Sequence, residues 1–376
     1  MARKVLRISH SAVVGHWRER ERLLRAKHSW DLELVVAPAW REGTALVTAA
    51  PSEPELPVHV VPVHGRMHPI LFWYDVRSLA RVIRRVEPDL IDLSEEPYSL
   101  AAASIRWAAR LARSNAPMCV FTAQNIRKRY PLPFRRWEQA MYRRASAAYP
   151  CAVEAEDVLR AKGFHGQTAV IPLGVSTPTV VRPPASAGTR VGFVGRLTPE
   201  KGAHLLIEAV ARVRRDRAVE LELVGAGDQE PALRDAARRA GIAGAVTFTG
   251  ALPPERVQER VVRFDVLVVP SLATPSWREQ FCRVAVEALA LGTPVLSSDS
   301  GSLPGVLGPA AEYFAEGDVD ELTAKLAALL GDPHRLQELA AEGRRRVAER
   351  FTWERVAERF DELYRSVLAS GRRGPG

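Results

Sequence analysis

Residues Pro270–Gly305 read PSLATPSWREQFCRVAVEALALGTPVLSSDSGSLPG and give the clearest indication of fold in this chain. They follow the apolar run Val266–Val269 and cross a polar loop before a helical pattern over about Phe281–Leu291. Gly292 is placed to end that helix, and the apolar run Pro294–Leu296 comes next. A strand, loop, helix and strand in this order predict an α/β domain with a parallel sheet.

Two carboxylates stand at the start of the predicted helix. Glu279 and Glu287 are separated by seven residues, and the N–H groups of Gln280, Phe281 and Cys282 are expected in the first helical turn. Unsatisfied donors and the helix dipole at such a position attract a phosphate. Carboxylates instead accept hydrogen bonds from hydroxyl groups, which sugars and riboses carry in number. The combination predicts a pocket for a nucleotide sugar.

With its flanks PS, EALALGTPV and SGS, the Glu279–Glu287 pair resembles the EX7E motif of the retaining glycosyltransferases of family 4. The resemblance implies the GT-B fold: α/β, with two Rossmann-like domains facing across a cleft and a C-terminal helix crossing back to the first domain. It also implies that Glu279 holds the donor sugar's hydroxyls and Glu287 the ribose diol. The alternative is an ordinary βαβ unit in which Glu287 pairs with Arg283 on a solvated face.

A second motif lies further upstream, in GRLTPEKG, residues 195–202. It follows a predicted strand, so Gly195 and Arg196 stand at the strand's carboxyl end, with Thr198 suited to cap the next helix and Lys201 in its first turn. The motif is similar to the family's phosphate-binding signature, which implies that Arg196 and Lys201 stabilise the diphosphate. Solvated surface cations are the alternative. Two further residues are predicted to contact the nucleotide: Gly227, in a loop after a strand, and Ser271, at the start of the Pro270–Gly305 stretch.

Loops at the carboxyl ends of strands in the first half are expected to line the ligand crevice. The first loop follows the strand Val5–Ile8, and another follows the strand that ends at Leu93. Residues predicted to contact the acceptor or donor sugar are His10, Gly15, Glu96, Gln124 and Asn125. A strand-end histidine is also commonly structural, and the acidic loop residues also suit a helix N-cap. The segment around Trp40 is predicted to be a polar loop that exposes the indole.

The family commonly carries Gly-Gly in the first loop and a histidine near the strand that here ends at Thr122. This sequence has only Gly15 in the first position and Gln124 or Asn125 in the second. An amide hydrogen-bonds a hydroxyl but does not titrate near neutrality, so proton transfer is not predicted there. Ser176 and Gly305 also depart from the family pattern.

The length of 376 residues and a hydrophobic content of 47% predict two globular domains. We place them at residues 1–178 and 188–353, followed by a crossover helix at 354–370. The chain has no apolar run long enough to span a bilayer, and its three cysteines do not suggest a disulfide framework or a zinc site. A cytoplasmic location is predicted.

The formal charge of +9 lies in the first half of the chain, where residues 1–175 contain 26 Lys and Arg against 17 Asp and Glu. Within it, residues 126–147 interleave basic residues with aromatic ones, which suits a membrane surface. We therefore predict binding at an anionic inner membrane face. Arginine-rich solvated helices are the alternative, and nucleic acid is not predicted because no recognised binding module accompanies the segment.

Together these features predict a retaining, metal-independent glycosyltransferase. The donor is a nucleotide diphosphate sugar, most readily a UDP- or GDP-sugar, and no prosthetic group is expected. The acceptor is a hydroxyl of a sugar, a lipid-linked sugar or a small molecule. The alternatives are a catalytically silent nucleotide-sugar binder, which the changes at Gln124, Ser176 and Gly305 favour, and a GT-B epimerase or phosphorylase.

Overall fold

The computed structural model describes residues 3–42, 45–176, 178 and 189–370. These residues form two compact units. The first runs to Pro172 and also includes the segment from Trp353 onward, and the second is Leu173–Thr352. The linker that the sequence predicts between the domains, 176–188, lies mostly outside the described residues.

A parallel sheet with helices around it forms the first unit. Its strands are β1 (Lys4–Ile8), β2 (Asp31–Val36), β3 (Ala39–Glu42), β4 (Ala45–Thr48), β5 (Val58–Val60), β6 (Val63–Gly65), β7 (Phe72–Tyr74), β8 (Leu90–Leu93), β9 (Met118–Thr122), β10 (Ala147–Pro150) and β11 (Gln167–Thr168). Its helices before Pro172 are α1 (Glu19–His28), α2 (Val76–Val86), α3 (Leu100–Leu111), α4 (Phe134–Arg144) and α5 (Val153–Ala161). Strands β3–β4 and β6–β7 form two antiparallel hairpins.

The main sheet of this unit has the order β11-β10-β9-β8-β1-β2-β5. Its central strands are buried on both faces, which suits their mostly apolar sequences; Arg7 and Asp92 are buried charged exceptions. From β1 the chain builds outward through β2 and β5 and then returns to add β8 on the other side. The topological switch point, where an open α/β sheet binds ligands, is therefore between β1 and β8.

The second unit repeats this plan with fewer strands. They are β12 (Arg190–Val194), β13 (Glu220–Val224), β14 (Val246–Gly250), β15 (Val266–Val269), β16 (Val295–Ser298) and β17 (Ala311–Phe314). The helices are α6 (Ala203–Val213), α7 (Glu230–Arg239), α8 (Pro254–Val261), α9 (Arg283–Leu291), α10 (Leu303–Leu307), α11 (Val319–Gly331) and α12 (Pro333–Arg350). The parallel order β14-β13-β12-β15-β16-β17 puts its switch point between β12 and β15.

The last helix, α13 (Trp353–Ser370), packs on the first unit, as the sequence predicts. The Tyr364 hydroxyl donates to the buried carboxylate of Asp92 at 2.7 Å, and the Phe360 ring lies 3.9 Å from the guanidinium carbon of Arg20. Arg20 in turn donates to Asp92 at 2.7 Å. This buried network joins α1, β8 and α13. Among the described residues, no helix has both the length and the apolar character needed to cross a bilayer.

Candidate functional site

A buried ion pair lies next to the switch point of the second sheet. The Glu279 carboxylate accepts a hydrogen bond from Lys201 Nζ at 2.6 Å and another from Ser271 Oγ at 2.9 Å. Glu279 is only 6% exposed. The structure therefore brings together three residues that the sequence predicts for donor binding, from the loops after β12 and β15.

Lys201 reaches this position because of the glycine that follows it. Pro199–Lys201 form a short 3₁₀ turn, and Gly202 has a left-handed backbone with φ of 68° before α6 begins at Ala203. A Cβ on Gly202 would lie 1.8 Å from the carbonyl oxygen of Pro270. The two loops can approach this closely only because residue 202 has no side chain. The prediction that Thr198 caps the helix is wrong, because its side chain makes no capping bond and the 3₁₀ turn intervenes.

Helix α9 starts at Arg283, two residues later than predicted. The reason is Cys282, whose φ of 57° is left-handed and cannot continue into a right-handed helix. Gln280, Phe281 and Cys282 therefore belong to the preceding loop, and the prediction that they form the first helical turn is wrong. Phe281 is 4% exposed and packs on Phe351, with ring centroids 5.8 Å apart.

Between the two predicted carboxylates lies the thiol of Cys282. Burial and the nearby charge of Glu279 raise the pKa of Cys282 to about 12, so the thiol stays protonated at neutral pH. Burial also raises the pKa of the half-buried Glu287, and the charge of Arg283 four residues earlier opposes that rise. Arg283 is thus a cationic neighbour of Glu287, as the ordinary βαβ alternative expects, but Glu287 does not lie on the fully solvated face that this alternative requires.

Arg196 lies apart from the buried pair. Its side chain is 66% exposed, and Nη2 lies 3.6 Å from Glu200 Oε1. The sequence predicts Arg196 and Lys201 as two fixed cations at the diphosphate. The structure fixes Lys201 through its pair with Glu279 and leaves Arg196 on the surface beside Glu200.

The glycines of the loop after β13 pack against the loop after β12. A Cβ on Gly225 would lie 1.8 Å from the Gly195 carbonyl oxygen, and one on Gly227 would lie 2.1 Å from the carbonyl oxygen of Leu197. The Leu197 N–H also donates to Ala226 at 3.0 Å. This packing alone accounts for the Gly-x-Gly pattern, and contact of Gly195 or Gly227 with a nucleotide stays a prediction.

The loop after β16 closes the other side of Glu279, which the sequence pattern does not indicate. The Ser302 N–H donates to the Glu279 carbonyl at 3.0 Å. Gly301 has a φ of 60°, and a Cβ there would lie 2.4 Å from the same carbonyl oxygen. Ser300 is 1% exposed, and within the described part of the chain its hydroxyl has no hydrogen-bond partner. A buried hydroxyl without a partner beside Glu279 is a candidate ligand contact.

In the first unit, His10 lies at the carboxyl end of β1 and is held by Glu95. His10 Nδ1 is 2.6 Å from Glu95 Oε2, and the His10 backbone N–H donates to Oε1 at 2.9 Å. The Tyr74 hydroxyl donates to the same Oε1 at 3.0 Å. Sequence reasoning considers both adjacent carboxylates of this loop and selects Glu96. The structure shows instead that Glu95 holds His10 and that Tyr74, which the sequence does not indicate, holds Glu95.

Glu96 faces β9, which neighbours β8 on the side away from β1. It accepts hydrogen bonds from Thr122 Oγ1 and the Ala123 N–H, both at 2.8 Å, and burial raises its pKa to about 7. The Gln124 amide donates to the Tyr130 hydroxyl at 2.8 Å, and Gln124 is 7% exposed.

Asn125 and Gly15 are the other two residues of the first unit that the sequence predicts to contact a sugar. Asn125, which follows Gln124, is also 7% exposed. Gly15 has room for a Cβ, whose nearest neighbour among the described residues would be 3.8 Å away, so none of those residues sterically requires a glycine there. Trp40 is 8% exposed within the β3–β4 hairpin, so the prediction of an exposed loop there is wrong.

Protein-family models match both halves of the chain. Residues 184–346 match the family model of glycosyl transferases group 1, and residues 18–178 match that of Glycosyltransferase Family 4.

Curated relatives match about half of the chain. A 207-residue segment is 36% identical to the MMP alpha-(1->4)-mannosyltransferase of Mycolicibacterium hassiacum, covering 54% of this chain and 49% of the relative. A 199-residue segment is 37% identical to the D-inositol 3-phosphate glycosyltransferase of Rhodococcus opacus, covering 50% and 43%. The match thus spans about half the length of these relatives or less.

Solved structures match over nearly the whole chain. Sucrose-phosphate synthase from Thermosynechococcus elongatus superposes with a TM-score of 0.71 at 20% identity, covering 98% of this chain and 100% of that one. HepE from Anabaena, solved with UDP and glucose, superposes with a TM-score of 0.71 at 19% identity, covering 97% and 100%. At these identities the likeness concerns the fold. The two family models and this shared fold establish that the chain belongs to the family 4, group 1 glycosyltransferases and has the GT-B fold.

Proposed function

We propose that this protein is a retaining glycosyltransferase that transfers a sugar from a nucleotide diphosphate sugar to an acceptor hydroxyl without a metal ion. The observation that carries the proposal is the cluster of Lys201, Glu279 and Ser271 beside the switch point of the second sheet. A carboxylate accepts hydrogen bonds from sugar hydroxyls, and an ammonium group attracts a diphosphate. The cluster offers both kinds of recognition in one place.

In the proposed reaction, the bond between the anomeric carbon and the diphosphate oxygen breaks while the acceptor oxygen bonds the same face of the sugar. The acceptor proton passes to the leaving phosphate oxygen, so this step needs no protein base. Negative charge grows on the departing diphosphate, and Lys201 stabilises it. Glu279 is proposed to hold the donor sugar, Glu287 the ribose diol, and Arg196 to turn toward the diphosphate when the donor binds.

The proposed donor is a UDP- or GDP-sugar, and the proposed acceptor is a sugar, a lipid-linked sugar or a small hydroxyl compound. HepE was solved with UDP-glucose, which supports a uridine donor. The relative from Rhodococcus opacus is named for D-inositol 3-phosphate, which supports a polyol or phosphorylated acceptor. The proposed location is the cytoplasm.

The test is transfer from UDP-glucose, GDP-mannose and ADP-glucose to D-inositol 3-phosphate, methyl α-mannoside or glycogen. NMR of the product should show an α linkage from an α-linked donor. Glu279→Gln and Lys201→Met should each lower kcat about 100-fold or more. For Lys201 the reason is that removing one stabiliser of developing charge typically costs about 2.7–4 kcal/mol.

Lys325→Met is the matched control for these variants, since Lys325 forms an exposed pair with Glu312 at 3.7 Å in the same unit. Near-normal turnover by both site variants would refute the assignment. Nucleotide-sugar binding without transfer would favour a silent binder. The hydrogen bond that the Gln124 amide already donates to Tyr130 is the observation that supports that alternative.

We also propose that the first unit binds an anionic membrane surface through helices α3 and α4 and the segment before α4. Leu132, Leu111 and Trp107 are exposed by 63%, 47% and 38%, and the Trp107 ring packs on Trp137 with centroids 6.0 Å apart. Arg106, which precedes Trp107, has Arg110 and Arg143 nearby. Burial and the charges of these two arginines lower the pKa of Arg106. Exposed apolar side chains among cations suit a lipid interface.

The test is sedimentation with phosphatidylcholine vesicles that contain or lack phosphatidylglycerol. Binding should require the anionic lipid, weaken at high salt and fall in Leu132→Glu. Leu46→Glu is the control, because Leu46 is 59% exposed in the same unit but lies on strand β4. Equal losses in the two variants would refute the assignment to this surface.

A further inference from the structure

The switch point of the first sheet holds a pair of side chains, like that of the second. His10 follows β1 and Glu95 follows β8, and these are the two neighbouring strands at which the order of the first sheet reverses. Open α/β sheets bind ligands outside the carboxyl ends of the strands at such a point. The pair therefore occupies the position where a ligand of this unit is expected.

Hydrogen bonds fix the orientation of the imidazole. A carboxylate only accepts hydrogen bonds, so Nδ1 of His10 donates to Glu95, and in the neutral imidazole Nε2 is then the acceptor. Glu95 is itself held by the His10 backbone N–H and by the Tyr74 hydroxyl. The Glu95 side chain is 1% exposed and that of His10 is 16% exposed, so the part of the pair that reaches solvent is the imidazole.

Aromatic rings also restrict the imidazole. The Trp40 ring lies 4.4 Å from it and the Phe72 ring 5.3 Å, centroid to centroid. Both residues are buried in the core of the unit. A side chain held by packing as well as by a buried carboxylate is preorganised, which is the property that ligand-binding groups require.

A second histidine of the same unit shows what a structural pair looks like. His59 Nε2 contacts Glu33 at 2.5 Å, and its Nδ1 contacts Arg85 at 2.8 Å, so both ring nitrogens have partners within the chain. Within the described part of the chain, the ring of His10 is hydrogen-bonded only through Nδ1. The two histidines are almost equally exposed, at 15% and 16%, and differ in whether a ring nitrogen is left for a ligand.

We propose that His10 is an acceptor-binding residue whose Nε2 accepts a hydrogen bond from a hydroxyl of a polyol or sugar acceptor. Glu95 is a positioning residue that fixes the tautomer of His10, and Tyr74 holds Glu95. This inference rests on the proposed function, since it assigns the acceptor to the first unit and the donor to the second. Because the retaining route delivers the proton of the reacting hydroxyl to the leaving phosphate, His10 binds a neighbouring, non-reacting hydroxyl.

The first experiment compares His10→Ala, Glu95→Gln and the control His59→Gln, with methyl α-mannoside and D-inositol 3-phosphate as acceptor probes. His10→Ala should raise the KM of the acceptor probe at least 10-fold, and Glu95→Gln about 3- to 10-fold. The KM of the donor and the slow hydrolysis of the donor by water should stay within 2-fold of wild type, and His59→Gln should resemble wild type throughout.

Three outcomes would overturn the inference. An unchanged acceptor KM in His10→Ala is the first. A kcat that falls 100-fold at constant acceptor KM is the second, since it would make His10 a base. Parallel loss of donor hydrolysis is the third, since it would make the effect structural. If the wild-type protein itself shows no donor hydrolysis, that result would instead count against the proposed function.

A second experiment needs no turnover. Diethyl pyrocarbonate acylates the unprotonated nitrogen of imidazole, and mass spectrometry reports the extent at each histidine. Methyl α-mannoside or D-inositol 3-phosphate at saturating concentration should slow acylation of His10 at least 5-fold and leave His28 unaffected, whose side chain is 18% exposed. Protection of His10 by UDP alone, or equal protection of both histidines, would contradict the assignment.

Discussion

Replacing Gly202 with alanine tests how the second unit places Lys201. The residue has a φ of 68°, which costs an alanine about 1–2 kcal/mol. The new Cβ would lie 1.8 Å from the Pro270 carbonyl oxygen, so one of the two loops must move by roughly 1 Å, and overpacking of this kind costs about 1–3 kcal/mol. We expect Gly202→Ala to lower the free energy of unfolding by about 2–5 kcal/mol.

Gly241→Ala is the matched control, because Gly241 has a φ of 72° and a Cβ added there would meet no described residue within 4 Å apart from its chain neighbours. It should show the backbone cost alone, about 1–2 kcal/mol. Urea unfolding followed by circular dichroism measures both variants, and titration with UDP measures the site. Gly202→Ala should weaken UDP binding at least 10-fold, and Gly241→Ala should not. Equal unfolding energies for the two variants would refute the claim that contact with Pro270 requires a glycine.

Three further predictions concern buried polar groups. Lys201→Ala leaves the Glu279 carboxylate without its cation and should cost about 3 kcal/mol, while the double variant with Glu279→Ala should cost less, as a double-mutant cycle by urea unfolding would show. Tyr364→Phe should cost about 1.5–3 kcal/mol by thermal unfolding, because its hydroxyl donates to the buried carboxylate of Asp92. The folded-state pKa of Glu96, about 7, lies above its ordinary value, so stability should fall by up to about 3 kcal/mol as pH rises from about 4.5 to 7. Glu96→Gln should remove this dependence in urea unfolding at pH 5 and pH 8, and an unchanged slope would contradict the shift.

The fold can be predicted largely from local patterns. Apolar runs bounded by glycine and proline identify the parallel strands, and the pattern after Trp353 identifies the terminal helix. The β3–β4 hairpin escapes prediction, because Trp40 sits among polar neighbours and only the fold shows that its ring packs against Phe72. Burial of that kind depends on which distant segment covers a residue, and local periodicity contains no such information.

The candidate donor-site residues can be named from the sequence, but their arrangement cannot be predicted from it. The sequence identifies Lys201 and Glu279 as candidates, and the structure joins them at 2.6 Å over 78 residues of chain. The sequence does not reveal that Cys282 delays the start of α9, because the delay depends on a backbone angle that cysteine rarely adopts. Nor does it separate Arg196, which pairs locally with Glu200, from Lys201, which a glycine contact directs inward.

The adjacent acids Glu95 and Glu96 show most clearly what sequence reasoning lacks. Both follow β8, and successive residues can point to opposite sides, but which side matters depends on the strand order β9-β8-β1. Glu95 turns toward the end of β1 and holds His10, whereas Glu96 turns toward the end of β9 and accepts from Thr122. Of the two strands that flank β8, β9 is the next strand along the chain and β1 is distant from it. Only the assembled sheet therefore decides which acid faces the expected ligand position. The location of a site at a switch point can therefore be predicted from the sequence. The residues that form it can be assigned only when the neighbouring strands are known.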